Sequence, residues 1–542
     1  MSKRMTFPLL IAGLGLGLLH AAAQTPTVIT VDADANRHPI SPLIYGVAFA
    51  STDQLRALNS PLNRSGGNAT TRYNWQANAS NHAADWFFES IPEQDPTPGG
   101  SVDSFIAATR AAGAQPMVTI PTIGWVAKLG PNRAMLPSFS VAKYGPQQKT
   151  DPYHSDAGNG VKSDGQTDIT GNDPHDAHIP STPAFQRGWV RHLTAKWGRA
   201  ARGGVRYYLM DNETSLWHST HRDVHPQGQT MHEELDDVLA YGTMVKSVNP
   251  AAQVVAPEEW GWPGYFSSGA DEQYAAAHHY QGHPDKDAHG GMDYLPWLLT
   301  QIHQHDQKTG RRLLDVFTVH IYPQGGDGGD DVSPRIQALR NRSTRSLWDP
   351  NYKDESWIND KIMLIPRLKE WVRTYYPGTK IGITEYNWGA ERNMGGATAQ
   401  ADILGIFGRE GLDLATRWTT PDSNTPTFKA MQMYRNYDGH HSTFGDVSVS
   451  DAAPDPDSLA SFAAVRSADH ALTVMVINKA PDAAAPVALA LSHFTPGATA
   501  QAWQLTSANA ITRLPDVPVT GGRLAATLPA QSVTLFVVSG GR

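Results

Sequence analysis

The sequence predicts an α/β protein: a (β/α)8 TIM-like barrel followed by a C-terminal antiparallel β-sandwich. Two observations support this. Between about residues 40 and 420, short apolar runs alternate with helical patterns, and eight such units close into a barrel of parallel strands. After about residue 438 no helical pattern follows, and Gly, Pro and Asp turns separate short β-rich runs, as in a sandwich.

The barrel elements follow one another in strict alternation. An open doubly wound sheet is the alternative, but no Gly-x-Gly-x-x-Gly follows the first strand, so its dinucleotide-binding version is unsupported. The predicted strands are 43–49, 61–65, 115–120, 204–210, 253–257, 314–322, 380–384 and 412–418. The helical patterns between them are 53–58, 102–112, 183–201, a segment ending near 248, 295–308 and 361–375.

The predicted domain boundaries follow from the loss of helical patterns after about residue 438. An isolated strand at 27–31 precedes the barrel, and we expect it to join the sandwich. Two long segments, 129–179 and 325–331, are expected to build the site face of the barrel. The predicted sandwich strands are 471–478, 487–491, 498–506, 523–528 and 532–538. The predicted divisions are a signal peptide at 1–23, an N-terminal strand segment at 24–38, the catalytic barrel at 39–438 and the sandwich at 439–542.

The first residues have the pattern of an export signal. Lys3 and Arg4 precede an apolar stretch at 7–19, and Ala21-Ala22-Ala23 provides a cleavage site. A membrane anchor is the alternative, but the apolar run is short of the roughly 20 residues that a spanning helix needs. We therefore expect a secreted protein, extracellular or periplasmic, with no membrane association after cleavage.

Composition narrows the classes of function. The chain has no cysteine, which excludes disulfides and thiolate metal sites. The net charge is -8, so the chain has no overall positive potential to attract phosphates, and nucleic acid is not expected as a partner. The 15 Trp and 18 Tyr residues point instead to sugars, because aromatic faces stack on the apolar faces of sugar rings.

Two glutamates stand where barrel strands end. Glu213 follows the fourth strand and Glu385 ends the seventh, so both side chains are expected at the catalytic face. Cleavage of a glycosidic bond needs one carboxylic acid and one carboxylate, about 5–5.5 Å apart in a retaining enzyme. We assign Glu213 as acid/base and Glu385 as nucleophile, with Asn212 donating to a sugar 2-hydroxyl. A salt bridge at the barrel rim is the alternative for either residue alone.

With these residues in place, the sequence resembles glycoside hydrolase family 44, whose members are endoglucanases and xyloglucanases. The resemblance covers the mature chain and is strongest in the barrel. One departure is visible, because Thr214 stands where the family usually has proline after the acid. The matching motifs are Arg64-Ser65-Gly66-Gly67-Asn68, Arg72-Tyr73-Asn74-Trp75, Asp85-Trp86-Phe87-Phe88-Glu89, Ile123-Gly124-Trp125-Val126-Ala127, Asp156-Ala157-Gly158-Asn159-Gly160, Gly171-Asn172-Asp173-Pro174, Asp211-Asn212-Glu213 with Leu216-Trp217, and Ile383-Thr384-Glu385-Tyr386-Asn387-Trp388.

The resemblance implies a retaining double displacement with Glu213 and Glu385 in the family's two roles. We expect Glu213 to have a raised pKa because a second carboxylate lies near it. Arg64, His320 and Tyr322 are the candidates to orient the nucleophile, with a structural ion pair as the alternative for Arg64.

The sugar subsites are expected among residues on the site face. Asn68, at the end of a Gly-Gly turn, is a candidate donor to a sugar hydroxyl. Packing in the barrel rim is the alternative for each tryptophan, and Trp418 is favoured because relatives in the same clan place a tryptophan after the eighth strand. The predicted substrate-binding residues are Asn68, Trp75, Trp125, Asn212, Tyr322, Trp388 and Trp418.

No cofactor is expected for the chemistry, but the resemblance makes a structural calcium plausible. Glu89, Asp151 and Asp156 are the candidate ligands, because calcium prefers hard oxygen donors. A solvated loop capped by Asx turns is the alternative.

The sequence therefore predicts a secreted, monomeric endo-β-1,4-glucanase of the cellulase and xyloglucanase type, acting on xyloglucan or carboxymethyl-cellulose. An arabinofuranosidase or xylan-directed glycosidase of the same clan is one alternative. A non-catalytic carbohydrate-binding protein is another.

Overall fold

The computed structural model describes residues 25–541, so the predicted signal peptide at 1–23 lies outside the described part of the chain. Eight parallel strands close into a barrel, and each pairs with the next in chain order. A mostly antiparallel β-sandwich follows, so the predicted fold class is confirmed. The barrel strands are Gly46–Ala48, Leu62–Ser65, Gln115–Ile120, Tyr207–Met210, Gln253–Glu259, Val316–Ile321, Lys380–Tyr386 and Leu414–Arg417.

Helices cover the outside of the barrel and form parts of its loops. The first strand is shorter than predicted, because Pro42–Tyr45 forms a 3-10 helix that uses proline at its first position. Residues 25–541 contain no helix with the length and apolar character needed to cross a bilayer. The α-helices are Thr52–Leu58, Asn68–Thr71, Gly100–Ala111, Val141–Tyr144, Pro183–Trp197, Trp217–Thr220, Met231–Val248, Gly269–Ala277, Pro284–Ala288, Tyr294–Thr309, Pro334–Ser343, Leu364–Tyr375, Met394–Arg409 and Pro426–Arg435.

The alternation of side chains along the strands builds two cores. On the fourth strand, Tyr207 and Leu209 pack in the barrel interior with residues of neighbouring strands. Tyr208 and Met210 point outward and join the core between the strands and the helices. Successive residues of a strand face opposite sides, so the strand is apolar throughout, as expected where both faces of a parallel sheet are covered.

Within residues 25–541 the sandwich contains ten strands, and Thr27–Asp32, which precedes the barrel, is one of them. It pairs in parallel with Ala485–Ser492 and antiparallel with Val447–Ala452. The sequence did not predict Val447–Ala452, Leu459–Val465 or Ile511–Pro518 as strands. The remaining strands are His38–Pro39, Leu472–Asn478, Pro496–Leu505, Arg523–Leu528 and Ser532–Gly540.

One barrel helix holds the sandwich in place. Phe462 packs against Gly405 of helix Met394–Arg409 so closely that a Cβ at residue 405 would lie 2.1 Å from the ring. Nearby, Lys479 donates to the buried carboxylate of Asp402 at 2.7 Å. A glycine on the helix and a buried ion pair therefore fix this contact.

The long segment 129–179 forms short elements over the barrel mouth. Trp125–Ala127 pairs with His178–Pro180 at the two ends of this segment. Leu136–Pro137 extends a small sheet with Ala79–Asn81 and Glu89–Pro92. The segment is thus tied to the loops that follow the second and third barrel strands.

Candidate active site

The backbone turns sharply where the fourth strand ends. Asp211 and Glu213 have positive φ angles of 60° and 47°, in the left-handed region that non-glycine residues seldom adopt. In a regular strand, Asn212 and Glu213 would point to opposite faces. Here Asn212 contacts Arg64 and Glu213 contacts His320, so both side chains reach the same site. Strained backbone of this kind is common at functional sites.

Arg64, on the second strand, is the central cation of the site and is fully buried. Its Nη1 donates to Glu385 at 2.7 Å, and its Nη2 donates to Asn212 Oδ1 at 2.9 Å. Its Nε and Nη2 donate to Glu258 at 3.1 and 2.8 Å. The planar guanidinium thereby fixes three groups at once, which an ammonium would not do with the same geometry.

Two glycines beside Arg64 make room for the site. A Cβ at Gly66 would lie 2.3 Å from Arg64 Cζ. At Gly67, where φ is 81°, a Cβ would lie 2.5 Å from the ring of Trp418. The Gly67 N–H also donates to Asn212 Oδ1 at 3.1 Å. With two donors on its oxygen, Asn212 is oriented so that its amide nitrogen remains available to a ligand.

Glu385 is held on both carboxylate oxygens. Arg64 donates to Oε1, and the Tyr322 hydroxyl donates to Oε2 at 2.7 Å. Burial and the charge of Glu385 raise the pKa of Tyr322, so the phenol keeps its proton and acts as a donor. A carboxylate oxygen of Glu213 lies within 4.8 Å of one from Glu385. In glycosidases, carboxyl groups about 5–5.5 Å apart belong to retaining enzymes and groups about 6.5–9.5 Å apart to inverting ones.

His320 connects the carboxylates. Its Nδ1 lies 2.8 Å from Glu213 Oε1, and its Nε2 lies 3.4 Å from Glu258 Oε2. Burial would lower the pKa of His320, but the charge of Glu385 and the hydrogen bonds to Glu213 and Glu258 raise it to about 10. Both ring nitrogens therefore donate, and Oε2 of Glu213 is left to carry the acid proton.

Glu213 has the electrostatics of an acid. Burial raises the pKa of Glu213, the charge of Glu385 adds to the rise, and the hydrogen bond from His320 opposes it. Two carboxyl groups this close resist being ionised together, so one of them tends to keep its proton. The direction of the shift agrees with the role predicted for Glu213.

Glu258, at the end of the fifth strand, is a site residue that the sequence did not single out. Its Oε1 accepts from the Thr318 and Thr384 hydroxyls at 2.7 and 2.9 Å. Burial would raise the pKa of Glu258, but Arg64 and His320 hold it at about 2. It therefore stays ionised and balances the two cations. Its position at a barrel-strand end is the signal that could have identified it.

We expect the variant His320→Gln to shift the alkaline limb of the pH profile of kcat/KM upward. Removing the imidazolium removes the interaction that lowers the pKa of Glu213, so the acid keeps its proton to higher pH. The rate at the optimum should fall about tenfold as orientation is lost. The measurement is kcat/KM on a soluble β-glucan across pH.

A half-buried histidine outside the site provides the control for this variant. His303 lies on an outer helix and contacts the Tyr375 carbonyl, so His303→Gln should keep the wild-type profile. An alkaline limb that moves to lower pH in His320→Gln would contradict the assigned proton positions.

Two of the predicted substrate-binding tryptophans make packing contacts, and for the buried Trp388 the prediction was wrong. Trp75 stacks on Trp189 of helix Pro183–Trp197, with ring centroids 6.0 Å apart and planes at 19°. Trp388 is 3% exposed and donates its indole N–H to Ser343 at 2.8 Å. The Trp388 ring is therefore closed to a sugar, whereas Trp75 is half-buried and its contact with a sugar stays a prediction.

The other predicted subsite residues lie at the barrel mouth. Trp418 is half-buried beside Arg64, whose Cζ lies 5.5 Å from the ring centroid. Trp125 is half-buried and packs edge-on against His175. Asn68 donates to the Asp85 carboxylate at 3.1 Å. Contact of Trp125 and Asn68 with a sugar stays a prediction.

The three predicted metal ligands do not form one group, and the inclusion of Asp156 was wrong. Asp156 caps the short helix Val141–Tyr144, accepting from the Ser140 hydroxyl and the Ala142 N–H at 2.7 Å each. Glu89 and Asp151 do interact, and burial followed by the contact with Asp151 raises the pKa of Glu89 to about 7. One buried oxygen of Glu89 has no hydrogen-bond partner within the described residues.

Comparison with known proteins identifies a family by sequence. The sequence profile described as "Glycoside hydrolase family 44" matches residues 79–325. A metagenome-derived bifunctional glucanase-xylanase, CelM2, is 60% identical in a structure alignment with a TM-score of 0.94, covering 95% of this chain and 99% of that one. A family 44 xyloglucanase from Paenibacillus polymyxa, solved with xyloglucan, is 30% identical with a TM-score of 0.78, covering 95% of this chain and 100% of that one.

A curated relative is longer than this chain. Endoglucanase A from Paenibacillus lautus is 31% identical over 482 residues, which are 84% of this chain and 64% of the relative. The chain therefore spans less than two thirds of that protein's length.

Proposed function

The chain belongs to glycoside hydrolase family 44, and from that premise we propose that it is a retaining endo-β-1,4-glucanase that cleaves β-glucans such as xyloglucan and carboxymethyl-cellulose. The closeness of the Glu213 and Glu385 carboxylates, within 4.8 Å, is the observation that carries the proposal. Relatives named as an endoglucanase and a xyloglucanase support the substrate class.

The proposed reaction has two displacements. Glu213 donates its proton to the glycosidic oxygen while a Glu385 oxygen attacks the anomeric carbon, which breaks the bond to the leaving chain. Glu213, now a carboxylate, then takes a proton from water, and the water oxygen displaces Glu385 from the same carbon. Each displacement inverts the centre, so the product keeps the β configuration.

The surrounding residues each support one part of this sequence. Arg64 and Tyr322 hold the Glu385 carboxylate in place before it attacks. The Asn212 amide is positioned to donate to the 2-hydroxyl, a bond that strengthens as the sugar ring flattens. Trp418, beside Arg64, offers an aromatic surface to the sugar being cleaved.

The stereochemistry of the product tests the proposal. Proton NMR of xyloglucan or mixed-linkage glucan digests should show the β-anomer first, with the α-anomer appearing only as mutarotation proceeds. Viscosity should fall faster than reducing ends accumulate, because internal bonds are cut. Initial release of the α-anomer would contradict the double displacement, and release of monosaccharide alone would contradict internal cleavage.

Xylan is a second candidate substrate. The 60% identical relative is named a bifunctional glucanase-xylanase, so xylan belongs in the same assay. Activity on xylan with none on any β-glucan would move the assignment to the xylan-directed alternative.

We also propose that the chain is exported, because residues 1–23 have the pattern of a signal peptide. N-terminal sequencing of the protein recovered from culture medium would test this.

We propose a structural calcium ion at Glu89 and Asp151, outside the chemistry. Two carboxylates in contact, one with an unpartnered buried oxygen, suit a hard cation. Added calcium should raise the apparent Tm of EDTA-treated protein by about 2 °C or more, because an ion that binds only the folded state stabilises it.

Two aspartate variants separate this site from the rest of the loop. Asp151→Asn should abolish the calcium effect on the Tm. Asp156→Asn, which alters a helix cap in the same loop, should retain it. Equal calcium effects in both variants would argue against the site.

A further inference from the structure

Two adjoining cavities among the outer helices of the barrel are lined by basic residues. The first, of about 550 Å³, lies between helices Pro183–Trp197 and Met231–Val248. The second, of about 840 Å³, lies at the end of helix Tyr294–Thr309, and Ser247 lines both. Neither lining contains an aspartate or a glutamate. The arginines and lysines that line them are Arg187, Arg191 and Arg199 in the first cavity and Lys246, Arg311 and Arg312 in the second.

Helix Pro183–Trp197 and the segment after it have a charge opposite to that of the whole chain. Residues 177–210 include five arginines, one lysine and no acidic residue, whereas the chain has a net charge of -8. The lysine, Lys196, pairs with Asp103 at 2.8 Å. The three arginines that line the first cavity are exposed, and none has an ion-pair partner within residues 25–541. Three positive charges therefore face solvent without a counter-charge.

Helix stability does not account for these charges. Arg187 and Arg191 are four residues apart on one helix, and like charges at that spacing destabilise a helix. The helix dipole favours cations in the last turn, and both residues precede that turn of helix Pro183–Trp197. Because the arrangement opposes helix formation, we attribute it to the binding of an anion.

The other groups in the lining suit a sugar acid. Thr194 and Ser247 carry hydroxyls, and Ala195 and Val248 present apolar carbon. Guanidinium groups bind carboxylates through paired, charge-assisted hydrogen bonds. A uronic acid offers a carboxylate, hydroxyls and C–H groups together. A flat lipid surface would not enter a concave cavity, and the net negative charge of the chain opposes the long-range attraction of nucleic acid.

The cavities reach the rim of the barrel that is opposite the catalytic glutamates. Arg199 and Arg311 lie in the turns that lead into the fourth and sixth strands, near the amino ends of those strands. Glu213 and Glu385 lie at the carboxyl ends of the fourth and seventh strands, where barrel enzymes have their active sites. A polymer bound at this rim would therefore leave the cleft open.

We propose that the two cavities bind a stretch of anionic polysaccharide, a polymer of uronic acids that the enzyme does not cleave. The bound polymer holds the enzyme in a mixed polysaccharide matrix while the cleft stays available to neutral glucan. Binding needs neither catalytic glutamate, so this inference goes beyond the proposed function. Because the arginines are exposed, salt should weaken the interaction by screening.

Calorimetry with soluble polygalacturonate at low ionic strength tests the proposal. The triple variant Arg187→Gln/Arg191→Gln/Arg199→Gln should raise Kd about tenfold, because three charge-assisted contacts are lost. Raising NaCl to about 0.5 M should weaken binding to the wild type. The triple variant should keep kcat/KM on a neutral soluble β-glucan within about twofold, since distant sites act independently. Retained activity would also show that the variant folds.

A second variant and a matched control complete the test. Arg311→Gln changes only the turn at the second cavity and should raise Kd about threefold, which guards against a helix defect in the triple variant. Arg335, Lys369 and Arg523 are exposed and line neither cavity. Arg335→Gln/Lys369→Gln/Arg523→Gln alters the net charge by the same amount and should leave Kd unchanged.

The outcomes separate this inference from the proposed function. Equal weakening by the two triple variants would mean that binding follows net charge, and the inference would fail. No binding of polygalacturonate to the wild type, or tighter binding of duplex DNA or of anionic phospholipid vesicles, would also overturn it. Absence of reducing-sugar release from every β-glucan would instead refute the proposed function, while the Kd for polygalacturonate would still decide this site.

Discussion

Glu385→Ala is expected to lower kcat on β-glucans by on the order of 10⁵-fold, because it removes the atom that attacks the anomeric carbon. The two donors that hold this carboxylate, Arg64 and Tyr322, remain in the variant but have nothing to orient. Reducing-sugar release from xyloglucan and carboxymethyl-cellulose measures the loss.

Azide should restore part of the activity of Glu385→Ala on a substrate with an activated leaving group. The small anion occupies the space of the missing carboxylate and attacks the anomeric carbon directly. One displacement inverts the centre, so the product is the α-glycosyl azide. Its configuration, read by proton NMR, identifies Glu385 as the nucleophile.

Two controls make this result specific. Glu370 lies exposed on helix Leu364–Tyr375, which precedes the seventh barrel strand, and Glu370→Ala should keep full activity. The Tm of Glu385→Ala should stay close to that of the wild type, because Arg64 keeps Glu258 as a partner. An unchanged Tm would show that the variant folds and that its loss of activity is chemical. Full activity of Glu385→Ala, or a β-glycosyl azide as its product, would refute the assignment.

Glu213→Ala is expected to lower kcat/KM on polysaccharides by about 10³-fold. Without a proton donor the leaving group is a sugar alkoxide, which leaves poorly. With a dinitrophenyl glycoside the first displacement needs no acid, so that step should change by less than about tenfold. The second displacement then limits turnover, because no base activates water. Steady-state kinetics on both kinds of substrate measure this contrast.

The azide product again identifies the residue. Azide attacks the glycosyl–Glu385 intermediate in place of water, and two inversions leave a β-glycosyl azide. Glu213→Ala and Glu385→Ala should therefore give products of opposite configuration. Equal losses on polysaccharide and dinitrophenyl substrate would show that Glu213 is not the acid.

The strand order of the barrel was predictable because each strand has a local signal. Tyr207–Met210 is apolar on both faces and ends in polar residues, and such a run reads as a buried parallel strand. The sandwich strand Leu459–Val465 was missed because it is alanine-rich and has no alternation, since it is buried on both faces between neighbouring strands and the barrel helix Met394–Arg409. Alanine has a weak β preference, so the fold decides its state.

The positions of the tryptophan rings could not be predicted from the sequence. Trp388 and Trp418 both follow barrel strands, and sequence position alone does not distinguish them. One donates its indole N–H to Ser343 inside the protein, and the other lies beside Arg64 in the cleft. Whether such a ring lies inside the protein or in the cleft depends on the path of the loop that carries it.

The sequence by itself determined the barrel, the sandwich, and the presence of Glu213 and Glu385 at the ends of the fourth and seventh strands. Those features depend on apolar residues that recur every two residues in strands and every 3.6 residues in helices, and on short motifs that are visible in one sequence. Only the tertiary structure revealed Glu258 as the anion that balances Arg64 and His320. Only the structure separated Asp156, which caps helix Val141–Tyr144, from Glu89 and Asp151. These features join residues far apart in the chain, and the distances that govern charge and shape complementarity exist only after the barrel has closed.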